Sequence, residues 1–254
     1  MSWNPRKKGP DCKPRKIYGL HPVREHLRAL PGDVQELYLL ASWQNTKIDQ
    51  IARQAAIPVR YEPQSFFDTW TQGGIHQGIA ALLRPFPYAS LGGILEREPD
   101  FLLVLDNILD PRNFGALLRT AEAVGVGGII FPKDRSAPLS ALVEKTAAGA
   151  TAHLPICRVT NLARALAMVR EAGYWLVGLA PDATQTLYDL PLSRKIALLL
   201  GGEERGLRSL TRHHCDSLVA IPMRGEIQSL NVSVAGAVAL YELLRRSMAT
   251  EIHS

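Results

Sequence analysis

Three cysteines, Cys12, Cys157 and Cys215, are too few and too oddly spaced for a disulfide framework in 254 residues. They have no CxxC spacing, which points to a reducing, cytoplasmic setting. No apolar run approaches the roughly twenty residues that span a bilayer, and the N-terminus has no signal-peptide h-region. A soluble protein without a membrane partner is expected. His213-His-Cys215 is the one cluster of metal-ligating residue types. Adjacent histidines diverge on a helix, and no second cluster is spaced to complete a tetrahedral site, so no metal is expected. No G-x-G-x-x-G opens a first helix, because Gly125-Val-Gly-Gly128 follows one, which argues against a dinucleotide-binding Rossmann domain. Internal repeats and low-complexity tracts are also absent.

The chain does hold enough apolar residues, 46%, for one large or two small domains. Its net charge of +5 is concentrated at the N-terminus. Residues 1–16 carry six basic residues and three prolines against the single acid Asp11, which reads as a disordered basic arm. Such an arm either adds salt-sensitive contact with phosphates or only solubilises the chain.

Residues 17–85 alternate between helix and strand patterns. Helices are expected at 21–30, 46–56 and 64–70, and strands at 34–40, 59–61 and 79–83, forming a small α/β unit. Residues 86–98 are rich in Pro and Gly at their start and read as a linker. From Phe101 the alternation resumes on a larger scale. Strands are expected near 101–106, 127–131, 153–157, 174–179, 195–200 and 217–222, and helices near 114–124, 138–148, 161–172, 208–214 and 231–246. This is the pattern of a parallel α/β sheet domain.

Three separated segments share one grammar, with an apolar strand ending in conspicuous polar groups or glycines. They are 101–121, 196–207 and 221–240. Strand C-terminal ends are where open α/β sheets bind ligands. In the first, Arg119 points away from the apolar helix face of Phe114, Leu117, Leu118, Ala121 and Val124. It is either a solvated surface arginine or a group suited to bidentate phosphate contact. Asn113 reads as the cap of the same helix. Glu203 follows a Gly-Gly turn, as a solvated loop acid or as one that orients Arg119 or a substrate. Ser229 and Asn231 are capping candidates for a helix whose residues from Val232 to Leu240 are nearly all apolar or small. A helix apolar all round is buried on every side, and a second copy of the chain is the commonest source of extra cover. His76 reads as a structural turn residue or an RNA contact. Tyr18, Trp43 and Trp70 read as core aromatics or as platforms for bases.

These segments resemble the three signature motifs of the SpoU group of SPOUT RNA methyltransferases. Asn113-x-Gly115-x-x-x-Arg119-Thr-Ala is similar to motif one and Leu200-Gly-Gly-Glu203-x-x-Gly206-Leu to motif two. Ile221-Pro-Met through Ser229-Leu-Asn-Val-Ser-Val-Ala is similar to motif three. Residues 17–85, with His76-Gln-Gly-Ile79, are similar to the family's small N-terminal α/β (L30e-like) RNA-binding domain. The resemblance implies a C-terminal SPOUT domain over 99–254 with a deep trefoil knot, a homodimer, and S-adenosylmethionine as cofactor. It implies methylation of a ribose 2′-hydroxyl in RNA, a guanosine of 23S ribosomal RNA being the nearest match. The same group also includes tRNA guanosine-2′-O-methyltransferases, and a non-catalytic ribosome-assembly protein is the alternative from another class. Arg119, Asn113, Glu203, Ser229 and Asn231 are implied as catalytic residues. Leu200, Gly201, Ile221, Met223 and Leu230 are implied as cofactor-binding residues. One departure is Glu204, where the family often has Gly; it makes the loop stiffer or more acidic.

Overall fold

A computed structural model describes residues 13–191 and 195–251. The chain divides into two compact units, residues 1–87 with 139–152, and residues 88–138 with 153–254. Among the described residues, no helix is long and apolar enough to cross a membrane.

In chain order the first unit begins with β1 (Arg15–Tyr18), α1 (Leu20–Ala29), β2 (Val34–Leu40) and α2 (Lys47–Gln54). It continues with β3 (Val59–Glu62), α3 (Gln64–Trp70) and β4 (Ile79–Leu83). The four strands pair in the order β1-β4-β2-β3. Ile17, Leu37, Leu39, Ile79 and Ala81 form a core with Val23 and Leu27 of α1 and Ile48 and Ala52 of α2. Local chemistry fixes the start of α2. Thr46 accepts from the Asp49 N–H at 3.5 Å, a first-turn cap, while the buried Asp49 carboxylate accepts from the Asn45 N–H at 2.8 Å. The same carboxylate accepts from the Tyr61 hydroxyl at 2.7 Å and the Arg53 guanidinium at 3.0 Å, tying α2 to β3.

His76 is a turn residue. It is buried, lies flat against Phe67 at 5.1 Å, and accepts the Gly78 N–H on Nδ1 at 3.0 Å. Tyr18, Trp43 and Trp70 are half-buried. Lys145 stands over Tyr18 at 4.9 Å, and Lys16 over Trp70 at 4.8 Å.

The second unit contains α4 (Leu91–Leu95), β5 (Phe101–Asp106), α5 (Pro111–Val124) and β6 (Gly128–Pro132). After α6 (Ala141–Thr146), which falls in the first unit, come β7 (Ile156–Val159), α7 (Leu162–Glu171), β8 (Trp175–Leu179) and β9 (Gln185–Thr186). The last elements are β10 (Ile196–Gly201), α8 (Ser209–His213), β11 (Ser217–Ala220) and α9 (Val232–Glu251). Seven strands form one sheet in the order β7-β6-β5-β10-β8-β11-β9, and every pairing in it is parallel. Strands β6 and β10 are buried at every position, as expected of parallel strands covered on both faces.

Three sequence expectations are corrected. The basic arm does not reach residue 16, because Arg15 and Lys16 belong to β1; residues 1–12 of that arm lie outside the described residues. The stretch 86–98 is not simply a linker. Leu91 and Ile94 on α4 are buried in the second unit's core beside Leu102, Leu166 and Leu176. The segment around α6 clusters with the first unit although its neighbours in sequence belong to the second. The physical reason is a buried ion network. Glu144 is fully buried and pairs with Arg15, which also pairs with Asp33. The Thr151 hydroxyl donates to the other Glu144 oxygen. Buried charges require partners, and those of Glu144 come from the N-terminal strand.

Candidate ligand cleft at the strand ends

Running from β5 through β6 to β7, the chain moves outward along the sheet in one direction. Strands β10, β8 and β11 fill the other side. The boundary lies between the neighbours β5 and β10, where Gly201 sits opposite Asp106. In an open α/β sheet such a switch point leaves a crevice outside the strand C-termini. Here a cleft of about 510 Å³ lies among residues 107–110 after β5, Arg135 after β6, residues 202–205 and Arg208 after β10, and Val232 of α9.

Each wall has a local cause. Asp110, not Asn113, caps α5. Its carboxylate accepts the Arg112 N–H at 2.8 Å, and Pro111 occupies the first helical position, where the missing N–H costs nothing. Asn113 stands within the first turn, buried, with its amide 3.5 Å from Asp110. Residues 202–206 form a tight hairpin closed by a Gly202–Gly206 bridge, and Gly206 has φ 60°. A Cβ on Gly201 would come within 1.9 Å of the Gly206 backbone, and one on Gly202 within 2.3 Å of the Asn107 oxygen. Glycine at 201 and 202 therefore lets chain pass chain. A larger residue would disrupt the hairpin before it touched a ligand.

Asp106 holds the hairpin from below. This fully buried carboxylate accepts the Thr211 hydroxyl at 2.6 Å and the Arg208 N–H at 3.2 Å. It also lies 2.6 Å from the Arg208 guanidinium. The hairpin tip, Glu203 to Arg205, is exposed at the cleft.

Of the sequence-chosen residues, Glu203 lines the cleft, and Leu200 and Gly201 end the buried strand beside it. Arg119 is exposed on α5; it does not line the cleft. Asn231 caps α9, its side-chain oxygen accepting the Ser233 N–H at 2.9 Å and the Ser233 hydroxyl at 2.6 Å. Ser229 is exposed in the irregular segment before it, with Met223 and Leu230; Ile221 is half-buried. Met223, Ile227 and Leu230 leave apolar side chains exposed along this segment.

Sequence reading missed Asp106, Arg135 and Arg208. Asp106 had a signal, a lone acid closing an otherwise apolar strand. The two arginines had none, since only the sheet order brings the loops after β6 and β10 to one cleft.

Helix α9 is not buried all round within one chain. Val232, Gly236, Ala239, Leu240 and Leu243 are covered. A Cβ on Gly236 would lie 2.4 Å from Leu117 of α5 and 2.7 Å from Leu200 of β10. Val234, Tyr241 and Met248, spaced by seven, are about half exposed.

Parallel-sheet geometry, the switch-point cleft and the glycine hairpin define an α/β ligand-binding domain joined to a smaller α/β unit. The chain belongs to the SpoU rRNA methylase family, whose model matches residues 100–241. A second model, for RNA 2′-O ribose methyltransferase substrate binding, matches residues 16–89. The chain is 41% identical to the 23S rRNA (guanosine-2′-O-)-methyltransferase RlmB of Yersinia pestis, over 91% of this chain and 96% of that protein. It is 43% identical to the RlmB of Pseudomonas aeruginosa, over the same shares. Among solved structures, it is similar to an AdoMet-bound rRNA methyltransferase from Sinorhizobium meliloti. That match has a TM-score of 0.81 at 25% identity and covers 92% of this chain and 88% of the other. The SpoU methyltransferase AviRb from Streptomyces viridochromogenes shares the fold, with a TM-score of 0.78 at 24% identity, covering 92% and 91%.

Proposed function

We propose that this protein transfers a methyl group from S-adenosylmethionine to a ribose 2′-hydroxyl of a guanosine in 23S ribosomal RNA, acting in the cytoplasm. The observation that carries the reading is the match along nearly the whole chain to RlmB enzymes. The strand-end cleft between β5 and β10 adds support from the fold itself.

The chemistry needs an alcohol held in line with an electrophilic carbon and relieved of its proton. S-adenosylmethionine supplies that carbon when bound, and Leu200, Gly201, Ile221, Met223 and Leu230 are the residues that would hold it. A guanidinium is too weak a base to deprotonate an alcohol by itself. Arg119 instead orients the target phosphate and, as a nearby cation, lowers the hydroxyl's pKa, so that the proton passes to solvent water as the methyl group is transferred. Glu203 and Asn113 orient Arg119 and the ribose. Ser229 and Asn231 complete the wall where α9 begins.

In this reading residues 17–85, with the basic arm, recruit the RNA, and the larger unit forms a homodimer. The apolar stripe of Val234, Tyr241 and Met248 supports the dimer, because those side chains are left uncovered by their own chain. The family's deep trefoil knot goes with the same reading.

The test is transfer of radiolabelled methyl to unmodified 23S RNA, 16S RNA and tRNA side by side. Label in 23S RNA at a guanosine 2′-oxygen is the expected result. Label confined to tRNA would reassign the substrate, and cofactor and RNA binding without transfer to any of them would mark an assembly protein.

A further inference from the structure

Arg135 is a cleft-lining cation that neither the motifs nor the sequence pattern single out. It comes from the loop after β6 and lines the same cleft as the hairpin that carries Glu203. Both ends of that loop are clamped. The Lys133 N–H donates to the Val159 oxygen at 2.8 Å, and the Ala137 N–H donates to the Ile108 oxygen at 2.8 Å. The second bond ties it to another cleft wall.

Between the clamps Arg135 has φ 59°, and Asn107, also lining the cleft, has φ 66°. Asn tolerates this left-handed conformation through its short polar side chain. A long residue such as Arg rarely adopts it, and the two clamps hold it there.

The charges around the cleft show what Arg135 is available to bind. Of the three arginines lining it, Arg208 is committed to the buried Asp106. Arg205 rides on the same hairpin as Glu203 and Glu204. The Arg135 side chain is exposed and makes no ion pair or hydrogen bond among the described residues. An RNA strand entering beside Glu203, Glu204 and Asp110 meets three carboxylates, and a phosphate needs a cation opposite them.

We propose that Arg135 binds a backbone phosphate of the RNA substrate next to the one that Arg119 orients, fixing the target ribose in the cleft. This deepens the proposed function and rests on it for the identity of the ligand. Arg135 is a positioning residue here; it takes no part in the proton transfer.

The experiment compares full-length wild type with Arg135→Gly, Arg135→Ala and Arg135→Lys. It measures kcat and KM on 23S RNA, S-adenosylmethionine affinity by calorimetry, and RNA binding against salt. Glycine accepts positive φ without strain, so Arg135→Gly removes the guanidinium and should leave the thermal midpoint unchanged or raised. The expected result is a KM for RNA raised about tenfold, with a slope of log K against log salt reduced by about one. Cofactor affinity should be unchanged and kcat should fall less than about threefold, with Arg135→Lys between wild type and Arg135→Gly. A folded Arg135→Gly variant with wild-type KM and salt slope overturns the assignment. So does a fall in kcat at unchanged KM and salt slope. If wild type methylates no 23S RNA, the functional reading fails separately. The salt slope, read by binding to any RNA the wild type holds, still decides the role of Arg135.

Discussion

Arg119 stands on the exposed side of α5 with its guanidinium unpaired among the described residues, so the fold does not depend on it. Arg119→Ala should lower kcat for methyl transfer at least about a hundredfold. Stability should stay within about 0.5 kcal/mol of wild type, and cofactor affinity should be unchanged. Turnover near wild type would remove Arg119 from the mechanism. Asp49 is the opposite kind of residue, structural and titrating. Burial raises the pKa of its carboxyl, but hydrogen bonds from Tyr61, Arg53 and the Asn45 N–H outweigh that and hold it below the ordinary value. A lowered folded-state pKa contributes stability that is present above the unfolded pKa of about 4 and lost as pH falls through the folded value. Asp49→Asn should therefore be less stable than wild type at neutral pH, with the gap closing as the solution is acidified below about pH 4. Urea unfolding at several pH values measures this, and a gap independent of pH would show that the carboxylate charge is not what matters.

Among the elements, α6 is the unexpected one. Its sequence lies inside the stretch matched by the methylase family model, yet its buried Glu144 draws its charge partner from β1. Removing one member of a buried pair leaves the other charge unpaired, at a cost of about 3–5 kcal/mol. Arg15→Ala should destabilise the protein by that amount, read as an early unfolding transition in urea. The same logic bears on truncation. A fragment beginning at residue 88 keeps the buried Glu144 without the Arg15 that pairs with it, so it should aggregate or unfold early. Cofactor binding by such a fragment is therefore a poor test of where the cofactor site lies, and point substitutions serve better.

Helix α9 carries the question of assembly. Its covered side packs on α5 and β10, while Val234, Tyr241 and Met248 repeat every seven residues along the uncovered side. Residues seven apart fall on nearly the same helical stripe, and a two-fold partner is the commonest cover for such a stripe. The double substitution Val234→Asp, Tyr241→Asp should halve the sedimenting mass at micromolar concentration and leave the isolated fold intact. A wild-type chain that sediments as a monomer, or a dimer insensitive to these changes, would place the interface elsewhere.

The sequence by itself determined most elements and the location of the three polar segments. Apolar strands such as Phe101–Asp106 and Ile196–Gly201 are legible because full burial of a parallel strand demands an unbroken apolar run. Asn231 is legible because capping is chemistry between near neighbours in the chain. What the sequence misread was set by distant partners. β1 looked like the end of a charged tail, because nothing local shows that Arg15 meets Asp33 and Glu144. Leu91 and Ile94 looked like linker because only the core of the second unit requires them. The placement of Arg135 and Arg208 beside Glu203 was decided by sheet order alone. Strands β5, β6 and β10 end in loops that are far apart in sequence, and a periodic pattern holds no information about which strands become neighbours.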